Sequence, residues 1–166
     1  MDDAKDLYDL ADRVGAVLVR AGLMLATAES CTGGWIAQCV TDIAGSSAWF
    51  DRGFVTYSNA AKTAMLGVAP QLIESQGAVS EAVVRAMVAG ALHHSRAQLA
   101  VAVSGIAGPG GGTPEKPVGT VWLAWQRAGG EPLARCARFG GDRRAVRRQA
   151  VAMALHGVLE HVGPGG

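Results

Sequence analysis

The feature that most constrains this chain is an unbroken apolar run, Leu99 to Val103, which leads into a loop rich in glycine and proline. A strand with one face in water alternates apolar and polar residues, whereas a strand that is apolar on both faces must be covered on both. Such strands are typical of parallel sheets that lie between helices. The run therefore predicts a central strand between two helical layers.

Strand and helix patterns alternate along the first two thirds of the chain. Met24–Thr27 and Phe50–Tyr57 have the pattern of strands. The first predicted helix ends before Gly22, where a left-handed C-terminal cap would lie. Its apolar residues fall on one face of the helix, and they are Leu7, Leu10, Ala11, Val14, Val17, Leu18 and Ala21. This alternation favours parallel strands joined by helical crossovers.

Short polar residues predict where the later helices begin. Ser58 and Asn59 are suited to capping the helix that carries Lys62, and Ser80 is suited to capping a longer helix with a 3.6-residue apolar rhythm. The last helix is predicted to open at Asp142. A second helix is expected to start near residue 33 and another after residue 70, and residues 163–166 are expected to fray.

Two late strands require an antiparallel pair. Val118–Gln126 and Leu133–Phe139 are joined across Gly129 and Gly130 in the manner of a hairpin. We therefore predict an α/β fold, a three-layer α/β/α sandwich with a mixed, mostly parallel sheet of about five strands. The 166 residues contain no repeat and no linker, so we expect residues 1–166 to form one domain with one core.

Composition narrows the classes of function. Only 17% of the residues are charged and the formal net charge is +1, so nothing attracts the whole protein to nucleic acid or to an anionic membrane. No apolar segment is long enough to span a bilayer. The three cysteines, Cys31, Cys39 and Cys136, fit neither a disulfide framework nor CxxC metal ligation, which favours a reducing compartment. We expect a cytoplasmic protein.

The first candidate for chemistry is the string ESCTGG at residues 29–34. The hydroxyl groups of Ser30 and Thr32 precede Gly33 and Gly34, which would let backbone N–H groups at a helix start face an anion or an oxyanion. The string is equally typical of an N-cap before a tightly packed helix. Cys31 is a rival nucleophile, although no histidine lies nearby in the sequence.

The second candidate joins Tyr57, at a strand end, to Lys62 at the next helix. A lysine in a partly dehydrated cleft can lose its proton near neutral pH and act as a general base for a serine hydroxyl. The alternative is a solvated surface lysine. Ser30, Tyr57 and Ser104 all follow predicted strands, and ligands of such sheets bind beyond the carboxyl ends of the strands.

Two glycine- or arginine-rich segments remain. The loop at residues 104–114, with Ser104, Gly105 and Gly108, is not a P-loop, but its backbone N–H groups could surround a phosphate or a ring; the alternative is a mobile surface loop. Arg143 and Arg147 stand four residues apart at the start of the last helix, where the helix dipole disfavours cations. A bound phosphate or carboxylate would offset this unfavourable interaction between the arginines and the helix dipole, and a salt bridge to an acidic side chain would do so equally well. The histidines are not spaced as metal ligands, so we expect no metal.

Four strings, TAESCTGG, VTYSNAAK, SGIAGPGGGTPEKPVGTVW and GDRRAVRRQA, resemble in order and separation the CinA C-terminal domain family. The resemblance covers roughly residues 8–160. Members of that family include nicotinamide-nucleotide amidases, which convert nicotinamide mononucleotide to nicotinate mononucleotide and ammonia in bacterial pyridine-nucleotide salvage. The resemblance implies that this chain is an amidohydrolase, that it acts on a small nucleotide and that it needs no cofactor.

The resemblance also implies residue roles. A serine nucleophile assisted by lysine and tyrosine matches Ser30, Lys62 and Tyr57, and family arginines match Arg143 and Arg147. Ser104 stands where the family usually has threonine. The chain departs from the family pattern at Trp35, Ile43, Ala44 and Arg144. Two alternatives stay open, a non-catalytic nucleotide-binding module and an amidase for another small carboxamide. We expect a homodimer or higher homo-oligomer, and nucleic-acid binding is disfavoured.

Overall fold

A computed structural model describes residues 3–163, and in this range five strands form one mixed sheet. The strands are β1 (Leu25–Glu29), β2 (Phe50–Val55), β3 (Leu99–Gly105), β4 (Thr120–Arg127) and β5 (Leu133–Arg138). Their order is β2-β1-β3-β4-β5. The first three are mutually parallel, and β4 is antiparallel to both of its neighbours. Of the predicted frayed tail, residues 164–166 lie outside the described residues.

Helices cover both faces of this sheet. They are α1 (Asp3–Ala21), α2 (Trp35–Thr41), α3 (Asn59–Leu66), α4 (Pro70–Gln76), α5 (Glu81–His93) and α6 (Arg143–Val162). One core contains residues of α1, α2 and α6, and a second contains residues of α3, α4 and α5. The predicted three-layer α/β/α sandwich is confirmed. No helix within residues 3–163 is both long and apolar enough to cross a membrane.

Strand β3 is the central strand that the apolar run predicts. Its residues from Leu99 to Val103 have no exposed surface. Leu99, Val101 and Val103 belong to the core beneath α1 and α6, whereas the alternating alanines belong to the core beneath α5. Small side chains on the second face let α5 lie close to the sheet.

The predicted helix starts are confirmed by their caps. The side chain of Ser58 accepts the N–H of Ala61, and that of Asp142 accepts the N–H of Ala145. Ser80 caps α5 in the same way. Each such cap typically contributes about 1 kcal/mol of stability. The hairpin between β4 and β5 is also confirmed.

The predicted bounds of the first two strands were wrong by two residues at their carboxyl ends. Strand β1 runs on to Glu29, because its last residues pair with β2 on one side and with β3 on the other. Strand β2 ends at Val55 instead of Tyr57. Glu29 can end a buried strand because its carboxyl group accepts N–H groups of the neighbouring helix α2.

Gly90 in α5 sets the distance to α3. A Cβ atom at this position would lie 2.1 Å from the carbonyl oxygen of Leu66, the last residue of α3. Because α3 carries Lys62, the absence of a side chain at Gly90 also fixes how deeply that lysine reaches towards the sheet.

Gly90→Ala should therefore destabilise the protein by about 1–3 kcal/mol through overpacking, although alanine is the better helix former. The free energy of unfolding in urea measures this. Gly140→Ala is the control, because a Cβ atom there would meet nothing within 4 Å. A Gly90→Ala protein as stable as wild type would show that the two helices can separate at no cost.

Candidate active site

The carboxyl ends of the three parallel strands place the predicted hydroxyl groups around one cavity. Ser30 follows β1, Tyr57 lies two residues beyond β2, and Ser104 lies near the end of β3. The cavity has a volume of about 270 Å³. Its lining also includes Lys62 from α3 and Arg143 from α6. The structure thus brings together residues that are far apart in the sequence.

The closest functional contact in this cavity joins Ser30 to Lys62. Lys62 Nζ lies 2.9 Å from Ser30 Oγ. The same nitrogen donates to the carbonyl oxygens of Thr56, at 2.9 Å, and Tyr57, at 3.4 Å. Lys62 projects from the first turns of α3, directly after the loop that provides these carbonyls.

Lys62 is a buried lysine and not a solvated surface lysine. Its exposed fraction is 1%, and no carboxylate of residues 3–163 forms an ion pair with it. Burial lowers the pKa of its ammonium from the usual value, because desolvation disfavours the charge. In the structure Nζ donates to the two carbonyl oxygens and to Ser30 Oγ, and Ser30 Oγ lies 3.5 Å from the carbonyl oxygen of Tyr57. If the ammonium loses a proton, the two carbonyls can accept the two N–H groups that remain, and the lone pair is left for the Ser30 hydroxyl.

Cys31, the rival nucleophile, is buried beside Ser30. Burial raises the pKa of its thiol to about 11, so the thiol is protonated at neutral pH. Since the thiolate is the reactive form, the environment of Cys31 disfavours it as a nucleophile.

Glu29 is a site residue to which the sequence analysis gave no role. Its buried carboxylate accepts the N–H groups of Ile36, at 2.8 Å, and Ala37, at 3.0 Å, together with the hydroxyl of Thr32, at 2.7 Å. The pKa of this carboxyl is raised above its usual value by burial, and these hydrogen bonds oppose the rise only in part. The N-cap of α2 is Gly34, which has no side chain, and Glu29 supplies the missing acceptor. An acidic residue ahead of a glycine N-cap was the available signal.

The turn at residues 30–34 uses most of its donors internally. Gly33 donates its N–H to the carbonyl oxygen of Ser30 at 3.0 Å, and the Gly34 N–H faces the Glu29 carboxylate. Both glycines have positive φ, which only glycine adopts without strain. Within the described residues, the N–H groups of Cys31 and Thr32 donate to no backbone acceptor, and Thr32 has no exposed surface.

Arg143 connects the glycine-rich loop to Tyr57. Its guanidinium donates to the carbonyl oxygen of Gly108 at 2.8 Å and to the Tyr57 hydroxyl at 3.1 Å. The Tyr57 side chain is 62% exposed. In the described part of the chain, its phenol makes no hydrogen bond to Ser30 or Lys62, which instead contact the backbone carbonyl of Tyr57.

Arg147 lies on the other side of the turn at residues 30–34. It donates to the carbonyl oxygens of Cys31, at 3.0 Å, and Thr32, at 3.1 Å. It lines a second cavity of about 380 Å³, together with Thr32, Gly33 and Trp35, and is not part of the lining around Ser30. Arg143 and Arg147, although only four residues apart on one helix, therefore line different cavities.

The remaining predicted residues complete the cavity wall. The buried Ser104 hydroxyl donates to the carbonyl oxygen of Ala78 at 2.9 Å. Gly105 lines the cavity, and a Cβ atom there would lie 2.7 Å from the side chain of Val121. Across residues 3–163, no three His, Cys, Asp or Glu side chains form a group that could hold a metal ion.

Comparisons with known proteins identify the family and the relatives of this chain. The CinA C-terminal domain model matches residues 7–162. The nicotinamide-nucleotide amidohydrolase PncC of Escherichia coli (strain K12) is 59% identical over 150 residues, which is 90% of this chain and 91% of that protein. The protein of the same name from Pseudomonas putida is 57% identical over 151 residues, 91% of this chain and 94% of that protein.

Solved structures show the same fold. The competence/damage inducible protein CihA from Agrobacterium tumefaciens superposes with a TM-score of 0.92 at 49% identity, covering 96% of both chains. A competence damage-inducible protein A from Klebsiella pneumoniae superposes with a TM-score of 0.92 at 39% identity, covering 96% of this chain and 99% of that one.

Glu29→Gln should destabilise the protein by about 1–3 kcal/mol, because one oxygen that accepts an N–H group is replaced by an NH₂ group that cannot. The midpoint and the slope of urea-induced unfolding together give the change in the free energy of unfolding. Glu74→Gln, on the exposed face of α4, is the matched control and should have no effect. Equal stability of the two variants would contradict the role of Glu29 as the acceptor for α2.

Proposed function

This chain belongs to the CinA C-terminal domain family, and we propose that it hydrolyses the carboxamide of nicotinamide mononucleotide to nicotinate mononucleotide and ammonia. The observation that carries the proposal is the 2.9 Å contact between the buried amine of Lys62 and the hydroxyl of Ser30. A serine paired with a neutral lysine is suited to acyl transfer. The names of relatives that are 56–59% identical support the amide and the nucleotide.

The reaction begins with proton transfer from Ser30 to Lys62. As its proton leaves, Ser30 Oγ attacks the carboxamide carbon and forms a tetrahedral intermediate. The oxyanion is held by the N–H group of Cys31, a residue that lines the cavity and whose N–H donates to no other backbone group among residues 3–163. This donor is in place before the reaction starts, so it stabilises the developing charge without reorganising.

Collapse of the intermediate releases ammonia. The lysine ammonium returns the proton to the leaving nitrogen, the carbon–nitrogen bond breaks, and an ester to Ser30 remains. Lys62 then takes a proton from water, whose oxygen attacks the ester carbon. The carbon–oxygen bond to Ser30 breaks, the serine regains a proton, and nicotinate mononucleotide leaves. The lysine thus acts once as base and once as acid in each half-reaction.

Arg143 and the loop with Gly105 and Gly108 face the 5′-phosphate in this proposal. The guanidinium of Arg143 donates one N–H group to Gly108 and one to Tyr57. A guanidinium has five N–H groups, so three remain for the phosphate. Tyr57 is thereby held at the cavity mouth, where its hydroxyl can donate or relay a proton. Its bond to Arg143 supports a role next to the phosphate-binding group.

The proposal also covers the oligomeric state and the cellular location of the protein. We propose a homodimer or higher homo-oligomer, supported by the exposed side chains of Val55, Tyr57 and Val118, and a cytoplasmic location in pyridine-nucleotide salvage. Size-exclusion chromatography with light scattering measures the assembly, and a monomeric mass at micromolar concentration would contradict it.

Ser30→Ala should lower ammonia release from nicotinamide mononucleotide by about 10³-fold or more, because Ser30 is the cavity hydroxyl that contacts Lys62. Cys31→Ala, at the adjacent position, is the matched control and should keep most of the activity. Near-normal turnover by Ser30→Ala would exclude Ser30 as nucleophile. Wild-type protein that binds the nucleotide but releases no ammonia would instead favour a binding module.

The pH dependence of kcat/KM should report Lys62. The protonated lysine cannot accept the serine proton, so activity should rise as pH increases through the pKa of Lys62, which burial places below 10.5. Initial rates of ammonia release over about pH 6 to 10 measure the rise. Lys62→Met should remove both the activity and the pH-dependent rise. A rate that falls throughout this range would contradict a neutral lysine base.

A further inference from the structure

The second cavity, beside the start of α6, has no part in the proposed reaction. Its volume is about 380 Å³, against about 270 Å³ for the cavity around Ser30, and the two linings share none of the described residues. We propose that the second cavity binds the phosphate group of a small anionic ligand through Arg144 and Arg147, beside Trp35. The inference goes beyond the proposed function, because such binding does not need the Ser30 cavity.

The lining of the second cavity is predominantly basic. Helix α6 contributes Arg144, Arg147 and Arg148, whereas Asp42 is the one acidic residue of the described lining. Arg148 lies 3.7 Å from Asp6, which offsets its charge. In the part of the chain that the structure describes, neither Arg144 nor Arg147 forms an ion pair with a carboxylate. The salt bridge that the sequence allowed at this helix start is therefore not made by these two arginines.

Both of these guanidinium groups lie against one indole ring. The guanidinium carbon of Arg144 is 5.4 Å from the centre of the Trp35 ring, and that of Arg147 is 5.5 Å from it. Cation–π attraction holds each cation to the ring, but it does not cancel the charges, which repel each other. Arg144 is also in the first turn of α6, where the helix dipole disfavours a cation. An anion that contacts both guanidinium groups would offset both unfavourable interactions.

The two arginines have N–H groups available for such an anion. Arg147 donates from Nε and Nη2 to the carbonyl oxygens of Cys31 and Thr32, which leaves three of its five N–H groups. The contact of Arg144 within residues 3–163 is the one with Trp35, so all five of its N–H groups remain. A carboxylate has two oxygens and matches one guanidinium, whereas a phosphate has enough oxygens to accept from two at once. These donors therefore favour a phosphate.

The cavity has room for more than a phosphate. Small-molecule sites typically have volumes of about 300–1,000 Å³. Tyr8 of α1, which is 46% exposed, and Gln38 of α2 also line the cavity, and among the described residues neither side chain has a hydrogen-bond partner. A phenol, an amide and the edge of an indole suit the ring and the hydroxyl groups of a nucleoside. We therefore expect a nucleoside monophosphate to bind more tightly than inorganic phosphate.

Trp35 provides a binding signal that is local to this cavity. In ¹⁵N-labelled protein, its indole N–H resonance, assigned with Trp35→Phe, should shift saturably when adenosine 5′-monophosphate or inorganic phosphate is added. The titration uses the wild-type protein without nicotinamide mononucleotide, so it needs no turnover. The dependence of the shift on concentration gives Kd for each probe.

Arg144→Ala should raise the Kd of adenosine 5′-monophosphate by about 10- to 100-fold, the effect of losing charge-assisted hydrogen bonds. Arg144→Glu should abolish the shift. Because Arg144 donates no hydrogen bond to the described chain, both variants should fold as the wild type does. Arg143→Ala is the matched control, since it removes the same charge from the adjacent position, which lines the Ser30 cavity. It should change this Kd by less than about twofold.

The outcomes separate the site, its ligand and the proposed reaction. Equal Kd values for the two probes would support the site and make free phosphate its ligand. The absence of a saturable shift with either probe would overturn the inference, and so would a Kd that Arg144→Ala leaves unchanged. Binding lost in Arg143→Ala instead would place the phosphate in the Ser30 cavity and would also overturn it. Wild-type protein that releases no ammonia would overturn only the proposed function.

Discussion

The burial of Lys62 without a countercharge is the interaction on which the rest of the site depends. Removing an ammonium from water is costly unless another charge compensates, and the hydrogen-bond partners of Nζ within residues 3–163 are two carbonyl oxygens and the Ser30 hydroxyl. The amine therefore gives up its proton more readily than a surface lysine does. This position requires α3 to lie close to α5, which Gly90 permits. The close packing of α3 against α5 at Gly90 thus helps to determine the position of Lys62 in the cavity.

The turn at residues 30–34 is held by an acidic and a basic side chain that do not pair with each other. Glu29 accepts N–H groups of α2 and the Thr32 hydroxyl, while Arg147 donates to the carbonyl oxygens of Cys31 and Thr32. Each side chain is satisfied by polar groups that a tight turn leaves without partners. These contacts hold the turn on both sides. In the proposed reaction they would keep Ser30 in place against Lys62, because small displacements of reacting atoms cost large factors in rate.

Much of the fold was predictable from local patterns. The double burial of β3, the caps at Ser58, Ser80 and Asp142, and the late hairpin follow from residue periodicity and from short polar side chains, which act over a few residues. The ends of β1 and β2 were not predictable in this way. Glu29 extends a strand although it is acidic, because its carboxylate finds donors in α2 that the local sequence does not reveal.

The sequence by itself determined the layered α/β fold, the hydroxyl groups at the strand ends and, through the resemblance of four strings, the family. It left Lys62 as either a base or a surface lysine, and it placed Arg143 and Arg147 on one helix face. Only the tertiary structure decided that Lys62 is buried against Ser30, 32 residues away in the sequence, and that the two arginines face different cavities. The physical reason is that burial and hydrogen-bond partners come from distant segments, whereas periodicity reports only a residue's near neighbours.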